Sequence, residues 1–324
     1  MTILFAGGGT GGHLYPAIAI AEEIKKKNPQ ARIVFVGTKK KIEARVVPQK
    51  GFEFFTIWIS GFSRRLRLSN VLFPVKVVVS LIQSFFLISK LKPNVVVGTG
   101  GYVCGPILYM ASLLRIPTVV HESNSYPGVT TRMLAYRMTK VFITFEGTQQ
   151  WLSKNAKTEL VGNPTRDILS KVTKTEGCAQ FNLDPNKKTI FAFGGSLGAA
   201  TINNAMKYVV EDAIKNNYQV IWQTGEQETT MEVPEHSNIK VQQYIDNIEY
   251  AYAAADVIVS RSGATTLAEV TRLGKPIILI PYPFAAANHQ ELNAKTMVES
   301  GAAMMIDDKE VQKKLLPMVR QLLF

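Results

Sequence analysis

Two segments of this chain repeat one device. ILFAGGGTGG, opening at Ile3, and IFAFGGSLGA, opening at Ile190, each run a short apolar strand into a cluster of glycines. An amphipathic helical pattern follows each cluster, over about 16–27 and 199–215. A buried strand that turns at glycine and packs a helix back over itself is the opening unit of a doubly wound parallel sheet. Having two such openings in 324 residues predicts two domains of ordinary size, each with its own core.

The segments between them fit this plan. Continuous β-branched and apolar runs at 2–6, 32–36, 94–97, 118–121 and 141–144 read as strands of one sheet covered on both faces. Runs at 189–193, 219–223, 239–242, 257–260 and 276–280 read as strands of a second. Val161-Gly162-Asn163-Pro164 breaks regular structure, which places the expected domains at 1–162 and 163–324. The fold class expected is α/β, two Rossmann-like doubly wound domains facing a cleft. A ligand is expected in that cleft, at the carboxyl ends of the strands.

Charge divides the two halves. Residues 1–162 hold 21 Lys+Arg against 7 Glu and no Asp, a net of +14, while the remainder has a net of −2. The first half is therefore expected to meet something anionic: nucleic acid, a membrane surface or a phosphorylated substrate. It lacks the interleaved aromatics of an RNA-binding module, which argues against nucleic acid. Cys104 and Cys178 are too few for a disulfide framework or a structural zinc site, which favours a reducing compartment. The amino terminus reads without a basic region and a long apolar stretch, so no secretory leader is expected. The most apolar stretch, 71–91, is interrupted by Pro74, Lys76 and Gln83 and reads as too broken to span a bilayer.

The first glycine cluster, Gly7 to Gly12, suits close backbone approach to an anion at the N-terminus of the helix that follows. It also satisfies G-x-G-x-x-G, the dinucleotide pattern. Such a site wants an acidic residue at the end of the second strand. Gly37-Thr38-Lys39-Lys40-Lys41 stands there instead, which counts against NAD and leaves an NADP-dependent oxidoreductase as an alternative. His13, at the mouth of the helix, is expected to stay neutral beside the positive end of the dipole, and a neutral imidazole is a competent general base. In the second half, Arg261-Ser262-Gly263-Ala264-Thr265-Thr266-Leu267-Ala268-Glu269 again joins a strand to a helix. Its hydroxyls and the N–H groups at the helix start make a diphosphate cradle, and Glu269, seven residues after Ser262, is placed to accept both hydroxyls of a ribose.

Taken in order, GGGTGGHLYPAIAIAEE, HESNSYPG, VGNPTR, GGSLGA and RSGATTLAE resemble the MurG family over nearly the whole chain, Met1 to about Asp307. These are the UDP-N-acetylglucosamine transferases that convert lipid I to lipid II in bacterial peptidoglycan synthesis. The resemblance implies a GT-B fold and an inverting transfer of GlcNAc to the MurNAc 4-hydroxyl of undecaprenyl-pyrophosphoryl-MurNAc-pentapeptide. It places the UDP-GlcNAc site on Thr10, Gly11, Gly12, Asn124, Arg166, Ser196, Ile245 through its backbone, Ala264, Thr265, Thr266, Leu267, Ala268, Glu269 and Gln290. Gly8, Gly9, Gly100 and Gly101 would face the acceptor pyrophosphate. His13 is the first choice of base and Glu122 the second. No divalent metal is expected to be required, because the helix start and Arg166 can meet the charge on departing UDP. A related GT-B enzyme with another lipid acceptor is the nearest alternative.

The same resemblance implies a peripheral enzyme at the cytoplasmic face of the plasma membrane. Arg64, Arg65 and Arg67 with Phe73, Val79, Ile82, Phe85 and Phe86 have the composition of an interfacial patch. Two features depart from the family. His289 precedes Gln290 where a pair of glutamines is usual, and the chain ends at Phe324, short of the usual C-terminal helical segment.

Overall fold

The β-branched runs of the first half do pair side by side, all in one direction. The computed structural model describes residues 1–61, 72–225, 232–285 and 288–324. It divides into two units, Met1–Thr165 and Arg166–Phe324.

The first unit runs β1 (Thr2–Ala6), α1 (Gly11–Lys27), β2 (Arg32–Gly37), α2 (Glu43–Gln49), β3 (Glu53–Thr56), α3 (Phe73–Leu91) and β4 (Val95–Gly98). It continues with α4 (Cys104–Leu113), β5 (Thr118–Glu122), α5 (Val129–Leu134), β6 (Lys140–Ile143) and β7 (Thr158–Leu160). Among the described residues the sheet order is β3-β2-β1-β4-β5-β6-β7, every pair parallel. Alternation along β1 sends Ile3 and Phe5 to the α1 face, with Leu14, Ile18 and Phe35. Leu4 and Ala6 go to the opposite face, with Val34, Ile88 and Ile107. Both faces being covered explains why the strands read as continuous apolar runs. The strand order reverses between β1 and β4, so the loops after those two strands flank the topological switch point.

Helix α3 differs from its expectation. Rather than a broken stretch it is one 19-residue helix, by length and composition enough to cross a membrane. Pro74 costs nothing there because it stands in the first turn, where an N–H has no helical partner. Lys76 and Gln83 leave the apolar surface by finding polar partners: Lys76 Nζ donates to Ser60 Oγ at 3.0 Å, and Gln83 Oε1 accepts the Trp58 N–H at 2.7 Å. The amphipathicity is inverted. Ser80, Ser84, Ile88 and Leu91 are buried, and the two serines donate back to their own helix, to Val77 O and Ser80 O. Small side chains there let α3 settle on α4. Val75, Val78, Ile82, Phe85 and Phe86 face outward, Phe86 with 66% of its surface exposed. Of the expected patch, Phe73 and Val79 are half-buried, and Arg64, Arg65 and Arg67 lie outside the described residues.

The second unit runs α6 (Lys174–Gln180), β8 (Thr189–Phe193), α7 (Ala200–Asn216), β9 (Gln219–Gln223), β10 (Ile239–Gln242), α8 (Ile248–Ala254) and β11 (Val257–Ser260). Then come α9 (Ala264–Leu273), β12 (Ile277–Leu279), α10 (His289–Glu299), β13 (Met304–Met305) and α11 (Val311–Leu323). The order β10-β9-β8-β11-β12-β13 is again parallel throughout, with its switch point between β8 and β11. One face packs under α7 and α11 around Trp222, Val209 and Leu315. On the other face Phe191 and Phe193 stack at 4.7 Å and meet Tyr252 of α8 edge-on.

Three short strands, β3, β7 and β13, were not expected from the sequence; their side chains are mostly half-buried or exposed, so they lack a continuous apolar run. Helix α1 begins at Gly11, five residues before the expected start. Pro16 lies inside it rather than opening it.

Candidate active site

Each unit gathers its sequence motifs at its own switch point. In the first, the turn after β1 needs backbone that only glycine adopts freely: Gly9 has φ +86°. Opposite it, Gly100 and Gly101 after β4 have φ +105° and +84°. The His13 ring lies on these two. A Cβ on Gly100 would stand 2.5 Å from His13 Cδ2, and one on Gly101 would stand 2.6 Å from Gly8 O. His13 Nδ1 is 3.3 Å from Gly8 O and 3.3 Å from Thr10 Oγ1, and the His13 carbonyl accepts Thr99 Oγ1 at 2.8 Å. Beneath the loop the buried Cys104 thiol donates to Ala6 O at 2.8 Å, and burial pushes its pKa up to about 12. Gly8, Gly9, Gly100 and Gly101, the residues expected to face the acceptor, thus lie together around His13.

One expectation about that loop changes. The Gly9 N–H does not point outward; it donates to Glu43 Oε2 at 2.9 Å. Glu43, fully buried at the start of α2, also accepts Thr38 N and Thr38 Oγ1 at 3.0 and 2.9 Å. Sequence reasoning missed Glu43, because its partner lies 34 residues away and is a backbone group. A signal existed: an acidic residue six positions beyond Gly37, where the basic run Lys39-Lys40-Lys41 drew attention instead.

Glu122, at the end of β5, is equally committed. Oε1 accepts Asn124 N and Nδ2, and Oε2 accepts Gly128 N and Thr131 Oγ1, the last at 2.7 Å. Four donors fill its lone-pair sites, so this carboxylate holds the 123–128 loop and positions Asn124. His121 beside it is buried, which lowers its pKa, and its Nε2 lies 2.9 Å from Gly162 O.

In the second unit the glycine turn after β8 packs against the end of β9. A Cβ on Gly198 would fall 2.1 Å from Thr224 O. Gln223, another residue the sequence did not flag, bridges two expected donor-site segments. Its Nε2 donates to Gly195 O at 3.1 Å and its Oε1 accepts Ile245 N at 3.0 Å. The Ile245 N–H is thereby engaged, which leaves its carbonyl as the backbone group for the expected uracil contact. Ser196 stands exposed on the same turn.

Helix α9 starts at Ala264 after an extended Gly263, so the first N–H groups, those of Ala264, Thr265 and Thr266, have no helical acceptor. Ser262 does not join them. It is buried, and its hydroxyl donates to Gln290 O at 2.7 Å, joining α9 to the start of α10. Gln290 Oε1 accepts Tyr282 N at 2.9 Å, which fixes the side chain and leaves its amide nitrogen to donate. Leu267 packs inward, Ala268 is half-buried, and Glu269 is buried. Arg166 Nη2 lies 3.3 Å from Glu269 Oε1, and Arg166 Nη1 lies 3.6 Å from Glu249 Oε2. Burial pushes the Glu269 carboxyl above its ordinary range, opposed by Arg166. The fully buried Tyr252 hydroxyl lies against it and is itself raised by that burial.

Glycine turns at the switch points of two Rossmann-ordered sheets, one beside a histidine and one beside a buried glutamate, are the arrangement expected of a GT-B fold. Comparison with known proteins agrees. Residues 3–143 match the glycosyltransferase family 28 N-terminal domain and residues 189–324 its C-terminal domain. A UDP-N-acetylglucosamine--N-acetylmuramyl-(pentapeptide) pyrophosphoryl-undecaprenol N-acetylglucosamine transferase of Thermoanaerobacter sp. (strain X514) is 43% identical, covering 100% of this chain and 91% of its own. Its counterpart in Flavobacterium psychrophilum is 41% identical over 96% and 86%. The crystal structure of Acinetobacter baumannii MurG superposes with a TM-score of 0.72 at 27% identity, over 99% of this chain and 92% of that one. The chain belongs to glycosyltransferase family 28 and, within it, to the MurG family.

Proposed function

We propose that this chain is the N-acetylglucosaminyltransferase that moves GlcNAc from UDP-GlcNAc to the MurNAc 4-hydroxyl of lipid I, giving lipid II for peptidoglycan. The observation that carries the reading is His13 seated on Gly100-Gly101 at the first switch point, with Gly8 O beside its Nδ1. His13 takes the proton from the acceptor hydroxyl as that oxygen attacks the anomeric carbon. The bond from that carbon to UDP breaks, and one displacement inverts the configuration. The start of α9 and Arg166 meet the negative charge on UDP, so the reading calls on no metal. Glu269 takes the ribose hydroxyls, Ile245 O the uracil and Gln290 the sugar.

The acceptor is held on a lipid, and the outward face of α3 suits a membrane surface. Apolar side chains that would gain about 1.5–3 kcal/mol each from burial stand in water on the half of the chain with net charge +14. We place the enzyme peripherally, at the cytoplasmic face of an anionic membrane, with no nucleic-acid partner. A turnover assay with UDP-GlcNAc and a lipid I analogue, run beside a simple lipid glycoside, tests the function. Glycosylation of the second but not the first would overturn the acceptor assignment. Vesicle binding that is absent, or indifferent to salt, would overturn the membrane assignment.

A further inference from the structure

Gly8 O and Gly9 N–H belong to the same peptide group. Glu43 Oε2 accepts the N–H end of that amide at 2.9 Å, and His13 Nδ1 stands 3.3 Å from its C=O end. We propose that Glu43 is a positioning residue for the general base, acting on His13 through the single Gly8–Gly9 peptide. The inference rests on reading His13 as the base.

A carboxylate on an amide N–H polarises the amide and makes its carbonyl a stronger acceptor, as linked hydrogen bonds reinforce one another. A carbonyl can only accept, so a ring nitrogen facing it must carry the proton. The Thr10 hydroxyl, also 3.3 Å from Nδ1, can accept as well as donate and so follows that choice. His13 is held as the Nδ1–H tautomer, and its basic lone pair sits on Nε2, the atom toward Gly100. In effect a peptide is inserted between the carboxylate and the imidazole of an acid–histidine pair.

The packing is built for this contact. Glu43 is fully buried, and Thr38 clamps its other oxygen through two bonds. A Cβ on Gly8 would fall 2.6 Å from the Glu43 carboxyl carbon, and one on Gly37 would fall 2.4 Å from its Cγ. Only glycine at both positions lets the carboxylate reach the Gly9 N–H.

The test uses the full chain with Glu43→Gln. An amide cannot accept from both Thr38 and Gly9, because its NH2 end must face one set of donors. Expected are a kcat lowered at least ten-fold, a KM for UDP-GlcNAc within two-fold of wild type, and, by ring-nitrogen NMR assigned with His13→Ala, a His13 signal moved away from the Nδ1–H tautomer. Wild-type kcat, or a wild-type tautomer in a slowed enzyme, overturns the proposal. If Glu43→Gln does not fold, Glu43→Asp, which keeps the charge but is too short to span Thr38 and Gly9, is read by the same measurements. Failure of both to fold also overturns it, since Glu43 would then be a core group of the first unit. The tautomer readout needs no turnover. An unslowed His13→Ala with a shifted tautomer in Glu43→Gln would therefore refute the base and leave the relay standing.

Discussion

Glu269 is buried with the Arg166 guanidinium 3.3 Å away, an ion pair standing where the ribose and diphosphate of the donor are expected. The pair is shared: Glu249 takes the other arm of Arg166 at 3.6 Å. A buried carboxyl is a cost to the fold.

Glu269→Gln should therefore stabilise the protein while disabling it. Burial raises the folded pKa above the ordinary 4.5, so the folded form binds the proton more tightly than the unfolded chain. Stability associated with the protonated group is present below 4.5 and is lost as pH rises through the folded value. The melting-temperature gain of Glu269→Gln over wild type should be larger at pH 7.5 than at pH 4.5, with UDP-GlcNAc affinity down at least ten-fold. Equal gains at both pH values would refute the assignment of that burial cost.

His13→Ala should lower kcat by about 10²–10⁴, the range for loss of a general base, and change donor affinity little. Steady-state kinetics with donor titration by calorimetry separates the two. Unchanged turnover eliminates His13.

The Cys104 thiol, raised to about 12 and donating to Ala6 O, should resist alkylation at pH 8 in the folded enzyme and react only on unfolding. Labelling followed by mass spectrometry of the peptide containing Cys104 checks this. Rapid labelling of the native protein would mean that the floor beneath the Gly100-Gly101 turn opens.

Phe86→Glu on α3 should leave the melting temperature within a degree or two, because the side chain is exposed, yet weaken binding to anionic vesicles several-fold. Co-sedimentation at low and high salt measures it. A large loss of stability would place Phe86 in the core.

The parallel sheets and the glycine turns were legible because burial on both faces demands apolar runs, and tight turns demand glycine. Arg166, Glu269 and His13 were legible because each sits inside a motif. The structure's corrections come from contacts that no local pattern carries. Ser262 looked like a phosphate ligand by its place before a helix, but its hydroxyl turns to Gln290 O, 28 residues on. Glu122 is the second choice of base from the sequence, but four donors surround it. Glu43 and Gln223 bind backbone atoms, and backbone partners leave no trace in residue identity.

Helix α3 reverses the usual economy of a helix, with serine toward the protein and phenylalanine toward the solvent. Its inner face still lends Ile88 and Leu91 to the core, and it is only to the outward stripe of Val75, Val78, Ile82, Phe85 and Phe86 that the first unit owes little of its cohesion. A variant with its outer stripe recast in polar residues should keep its fold and, on the proposed membrane reading, part only with the lipid surface.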